Sequence, residues 1–288
     1  MKRTAAIIST LILTASSLFA FEWPQENVTS ESFSSYYGQS RGKTVNSSLI
    51  FKDSSEIQAA EDGTVTIVLS DHDDDFGWFE STLGNSVIIQ HKDALSIVYS
   101  NLDEDSIPLS ITKEAEIKQK QLIGSSGNSA WQEGQNCLEL KVFDSKRGSS
   151  VNPRVLMPRI GKELKLSVGT VVLIDSNGEE HNLLLERKLP SGKYKIYKTR
   201  QPVTVPYKTV TAINGASVET INFDILKEKN GKLCVIGNRM YSFEELYPDD
   251  KKHLVSEIML NKGHVTLSIT VVNILGAAET ISYNLDIQ

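Results

Sequence analysis

The sequence predicts a mostly β protein built as two modules behind an export signal, and three observations predict it. Short β-branched or alternating runs recur along the chain, separated by Gly, Asn and Asp. Helical periodicity is nearly absent. The strand rhythm breaks once, at Val151-Asn152-Pro153-Arg154-Val155-Leu156-Met157-Pro158, where two prolines bracket a short apolar segment, and then restarts.

Residues 1–20 carry Lys2 and Arg3, an apolar stretch from Ala5 to about Leu13, and small residues ending at Ala20, which is the pattern of a secretory signal. The stretch is too short to span a bilayer, which takes about 20 apolar residues, so no membrane span is expected after cleavage. Removing Lys2 and Arg3 takes the formal charge from −6 to −8. Nucleic acid is then not an expected partner, because phosphate binding needs a basic face. The two cysteines, Cys137 and Cys234, fall in different modules and read as buried free thiols rather than a disulfide framework.

Within the first module, residues 21–158, strands are expected at 64–69, 86–90, 95–99 and 138–143. The second module, residues 159–288, offers strands at 164–168, 171–175, 181–186, 193–197, 204–212, 217–224, 233–236, 263–272 and 279–287. So many short strands in so few residues are the pattern of a β-sandwich. Two short helices are expected, at 242–246 and 250–255.

Four segments of the first module carry a further resemblance: Ala59-Ala60-Glu61-Asp62-Gly63-Thr64-Val65; Gly84-Asn85-Ser86-Val87-Ile88-Ile89-Gln90-His91 with Tyr99-Ser100-Asn101-Leu102; Gln121-Leu122-Ile123-Gly124-Ser125-Ser126-Gly127-Asn128-Ser129; and Cys137-Leu138-Glu139-Leu140-Lys141-Val142 followed by Asn152-Pro153. In this order and spacing they resemble the lysostaphin-type, LytM-like zinc endopeptidases of peptidase family M23, over about residues 36–158. The resemblance implies a LytM-like antiparallel β-sheet domain. It also implies that three side chains would hold zinc and two histidines would assist an attacking water. The family's His-x-x-x-Asp falls at Asn46 and Ile50, its His-x-His at Cys137 and Glu139, and the histidine of its Tyr-x-His at Asn101. All five positions have changed, and no histidine occurs before His72. The resemblance therefore implies a degenerate peptidase domain with no catalytic residues and with its zinc lost.

Cys137 and Glu139 are chemically able to bind a metal, but Asn46 and Ile50 give them no partners; a buried strand residue beside an exposed carboxylate is the preferred reading. His91 reads as a structural residue at a strand end, and His72, His181, His253 and His264 show no ligand spacing. The run Asp71-His72-Asp73-Asp74-Asp75-Phe76-Gly77 fails the EF-hand spacing and reads as a solvated acidic loop. Ser125 and Ser126 lack a nucleophile-elbow context.

In the second module, Gly263-His264-Val265-Thr266-Leu267-Ser268-Ile269 and Asn273-Ile274-Leu275-Gly276-Ala277 resemble the closing strands of bacterial immunoglobulin-like β-sandwich domains, with Asn273 where Asp is usual and Ala277 where Asn is usual. The expected function is that of an exported, non-catalytic envelope protein in a bacterial periplasm or on the cell surface, binding peptidoglycan or regulating a cell-wall hydrolase. Two alternatives remain: an active metalloendopeptidase using Cys137 and Glu139 with an unrecognised third ligand, or a structural or adhesive surface protein.

Overall fold

Strand pairing carries this fold, because the β-branched runs have no helical face to bury. A computed structural model describes residues 21–70, 81–131 and 135–288; residues 1–20, read as an export signal, and the acidic run at 71–77 lie outside the described residues. The first module contains β1 (Phe33–Ser35), β2 (Ser40–Arg41), β3 (Thr44–Val45), β4 (Ser48–Phe51), β5 (Glu56–Gln58), β6 (Gly63–Leu69), β7 (Asn85–Gln90), β8 (Leu95–Leu102), β9 (Glu116–Ile117), β10 (Leu122–Ser125), β11 (Glu139–Asp144) and β12 (Ser149–Val151). A helical turn, α1 (Pro153–Leu156), follows. The second module contains β13 (Val171–Asp175), β14 (Glu180–Asn182), β15 (Lys188–Leu189), β16 (Gly192–Thr199), β17 (Lys208–Ile213), β18 (Ala216–Lys229), β19 (Lys232–Ile236), β20 (Met240–Tyr241), α2 (Phe243–Leu246), β21 (Lys252–Leu260), β22 (Gly263–Val272) and β23 (Ala278–Ile287).

In the first module the sheet runs β12–β11–β8–β7–β6–β9, and β4 pairs with the first half of β11. Register is fixed by burial: Val87, Ile89, Ile97, Tyr99, Leu140 and Val142 all point into one core, and a slip by one residue would turn them outward. In the second module a sheet ordered β14–β13–β16–β21 shares a core with strands β23, β22 and β17. Val171, Leu173, Tyr194, Ile196 and Val255 meet Leu267, Ile269, Val271, Tyr283 and Leu285 there, which makes the module a two-sheet sandwich. The Asn273 corner is intact, its side-chain oxygen accepting from the backbone N–H groups of Leu275 and Ala277 at 3.0 and 2.9 Å.

Beside the segment where the strand rhythm breaks, the two modules are joined by strand pairing. β12 pairs with β18 through Ser149↔Lys227, Ser150↔Leu226 and Val151↔Ile225, so the sheet continues from one module into the other. Asn152 then donates to Phe223 O at 2.9 Å and caps α1 by accepting from Arg154 N. One core crosses this seam, joining Phe33, Tyr37, Leu49 and Phe51 to Phe223, Leu226, Tyr241, Tyr247 and Leu254. The Tyr247 hydroxyl reaches over it to Gly38 O at 2.6 Å, and on the first module's side the Tyr37 hydroxyl donates to Ser150 O at 2.8 Å.

Two expected elements differ. Residues 250–255, expected as a helix, belong largely to β21, where His253, Leu254, Val255 and Ser256 are buried against β16 and long-range pairing overrides the local pattern. No strand forms at 164–168; Leu166 and Val168 are buried, but Ser167 N and Val168 N donate to the side chains of Gln201 and Glu279. The short helix near 242–246 does form as α2, with Ser242 N donating to the Glu245 carboxylate.

Because the two modules share a sheet and a core, they are expected to unfold together. Calorimetry should give one transition whose calorimetric and van't Hoff enthalpies agree; two resolved transitions would contradict this joining.

Candidate functional site

Four of the five positions singled out in the sequence, Ile50, Asn101, Cys137 and Glu139, gather at one end of the central sheet, and the pairing explains why. β11 lies between β4 and β8, which sets Glu139 directly opposite Ile50 on one side and Ser100 on the other. Asn101 follows Ser100, and Cys137 stands two residues before Glu139, just ahead of the strand.

Glu139 is not the exposed carboxylate expected from the sequence. Its side chain is 1% exposed and grips two cations: Arg41, through Nη1 at 2.6 Å and Nη2 at 3.3 Å, and Lys141 Nζ at 3.1 Å. Burial alone would raise its pKa, but the Arg41 hydrogen bonds and the Lys141 charge outweigh that and hold it below the ordinary 4.5. Arg41 arrives from β2, outside every motif read in the sequence. Lys141 was legible, since two residues along a strand return to the same face.

Asn101 has φ 64°, a left-handed conformation that asparagine tolerates better than most residues. Its amide N–H groups donate to Gly127 O at 2.7 Å and Cys137 O at 2.5 Å, and its oxygen accepts from Ala130 N at 2.8 Å. The glycine in Ser125-Ser126-Gly127 is required by this closeness: a Cβ on Gly127 would stand 2.4 Å from Asp103 N. Cys137 Sγ lies 3.7 Å from Asn101 Nδ2, and burial raises the thiol's pKa, keeping it protonated.

Asn46 turns toward β1 instead. It donates to Ser35 Oγ, Tyr36 O and Ser48 O, each at 3.0 Å, and accepts from Ser48 Oγ at 2.7 Å. As a donor set for a dication these residues are poor. Ile50 has no ligand atom in its side chain, the Asn46 and Asn101 amides are engaged, and the one carboxylate already faces two positive charges.

The remaining candidates divide. His91 is structural: its Nδ1 contacts Asp62 O at 2.9 Å, its ring meets Phe21 edge-on at 5.5 Å, and burial lowers its pKa. Ser126 Oγ accepts from Ser55 N at 2.9 Å, and Ser125 N donates to Ser106 Oγ at 2.7 Å, both bracing the turn. Both cysteines are free and buried. His181, which showed no ligand spacing in the sequence, is brought by the β13–β14 hairpin to Asp175 and Glu179, with potential ligand atoms within 4.8 Å of one another. Asp175 accepts there from the backbone N–H groups of Asn177 and Glu179, and His181 Nδ1 meets the Glu186 carboxylate at 3.0 Å. His253 is buried in the second module between Phe223 and Tyr247, and His264 is exposed.

Two consequences can be measured. Asn101→Ala should cost about 2–3 kcal/mol in urea unfolding, since it strands buried carbonyls and an N–H. Glu139 has a depressed pKa, so its stabilisation is present above pH 4.5 and is lost as pH falls below that value. Glu139→Gln should therefore lose less stability on acidification below pH 4.5 than the wild type does; equal losses would contradict the ion-pair assignment.

With the geometry in hand, comparison with known proteins is informative. No curated protein matches the chain. Among solved structures, a point mutant of the catalytic domain of the prophage-encoded M23 protein EnpA from Enterococcus faecalis is 23% identical, with a TM-score of 0.34, over 42% of this chain and 87% of that one. CbpA from L. salivarius REN is 17% identical at a TM-score of 0.33, over 48% of this chain and 94% of that one. The M23 metalloprotease pseudoalterin, from the deep sea, is 12% identical at 0.32, over 78% and 99%. A second family model matches residues 165–288. Residues 47–153 match the model of peptidase family M23, so the chain carries an M23-type domain there, followed by a second β module.

Proposed function

We propose that this chain is an exported, non-catalytic envelope protein whose M23-type domain binds peptidoglycan, or docks a separate cell-wall hydrolase, without cleaving anything itself. One observation carries the reading: at the end of the central sheet a donorless isoleucine faces a carboxylate saturated by a guanidinium and an ammonium. Such a pair has no route to an activated water, because a metal-bound hydroxide needs several free donors and an open position.

Binding is supported by a groove of about 450 Å³ that opens on the same face. Val98, Lys141 and Phe143 lie along it with Leu83, and Glu228 and Leu233 reach it from the second module. Phe143 is 44% exposed there, a large apolar side chain of the sort that anchors recognition. The second module then acts as more than a spacer, since it supplies part of the lining. The formal charge of −6 disfavours nucleic acid, and among the described residues no helix is long and apolar enough to cross a membrane.

Metal analysis of the purified protein, paired with digestion of purified cell wall, tests the reading. Less than stoichiometric zinc and no cleavage are expected, with retention on insoluble cell wall weakened about tenfold by Phe143→Asp. Stoichiometric zinc together with chelator-sensitive cleavage that is lost in Cys137→Ser would establish the active-enzyme alternative. Undiminished retention of Phe143→Asp would favour an adhesive surface elsewhere on the chain.

A further inference from the structure

We propose that Arg41 is a built-in cation, supplied by the β2–β3 hairpin, that takes over the charge-balancing place a metal dication would occupy beside Glu139 and shuts the site from within. The inference rests on the non-catalytic reading of the same site, but its test reads the ion pair and not activity.

A carboxylate with 1% side-chain exposure is expensive to leave unpaired, because it has given up its hydration. Here Arg41 meets it with two guanidinium nitrogens and Lys141 adds a third donor, so one negative charge sits against two positive ones. The three groups sum to +1, and a dication approaching them meets net repulsion. Arg41 must leave before any metal can reach the carboxylate.

The hairpin that delivers Arg41 is held from several sides. Each of its strands has two residues, and Gly42 turns between them at φ 58°; a hairpin of that length does not persist unaided. Gly38 N donates to Asn46 O and Asn46 N to Gln39 O at its base, and the Tyr247 hydroxyl of the second module fixes Gly38 O. The Asn46 side chain, standing where the resemblance places a metal ligand, is turned back to fasten Ser35, Tyr36 and Ser48. Ser48 Oγ in turn lies 3.5 Å from Arg41 Nη1. The residues at the former ligand positions thus hold the replacement cation in place.

Chemical rescue in the full-length protein tests this. Arg41→Ala should melt about 6–12 °C below wild type, and millimolar methylguanidinium should recover part of that loss while leaving wild type unmoved. Arg41→Ala combined with Glu139→Gln should show no recovery, and added zinc should shift wild type and Glu139→Gln equally. An unaltered melting point in Arg41→Ala, recovery that persists without the carboxylate, absence of recovery, or stabilisation by zinc of wild type but not of Glu139→Gln would each overturn the proposal. Should Arg41→Ala not fold, Arg41→Lys and Arg41→Met decide the matter, being of similar reach, the first cationic and the second neutral. A Lys variant melting well above the Met variant supports the built-in cation, and equal melting overturns it. Cleavage of cell wall by the wild type, with the rescue pattern intact, would instead count against the function alone.

Discussion

A buried carboxylate must be matched by positive charge, and much of the first module is arranged to satisfy that demand at Glu139. Between β4 and β8 the strand β11 cannot turn this side chain to solvent without turning Leu140 and Val142 out of the core. The cation must therefore come to the carboxylate. Lys141 comes from the same strand face, and Arg41 from a hairpin that would otherwise have little reason to lie over the sheet end. A carboxylate is a good metal donor in isolation; in this company it is an internal salt bridge.

The same logic links the two modules. Pairing of β12 with β18 extends the sheet past its old edge, which removes an exposed row of backbone donors and acceptors and places Glu228 and Leu233 beside Phe143. The resulting groove belongs to neither module alone. A ligand lying in it would touch an apolar floor, the Lys141 ammonium and a wall from the sandwich, so recognition and inter-module rigidity depend on the same strands.

Much of this was legible in the sequence because it is local. Alternation located β6, β7, β8 and β11 within a residue or three, and single cysteines in separate modules read correctly as free thiols. What escaped was set by distance along the chain. Nothing near Glu139 reveals that Arg41, 98 residues earlier, will meet it, so the carboxylate was read as solvated. Residues 250–255 looked helical until β16 claimed them, and the prolines at 153 and 158 gave no sign that a strand pair and a capped turn bind the two modules beside them. His181 gained its acidic neighbours in the same way, through a hairpin whose folding brings i and i+6 side by side.

The account stands or falls on what occupies the space beside Glu139, and diffraction at the zinc absorption edge from crystals grown in excess zinc reads that directly. It predicts no anomalous peak there, with the Arg41 guanidinium still bidentate on the carboxylate. A peak about 2.0–2.2 Å from a Glu139 oxygen, with Arg41 swung away, would contradict it.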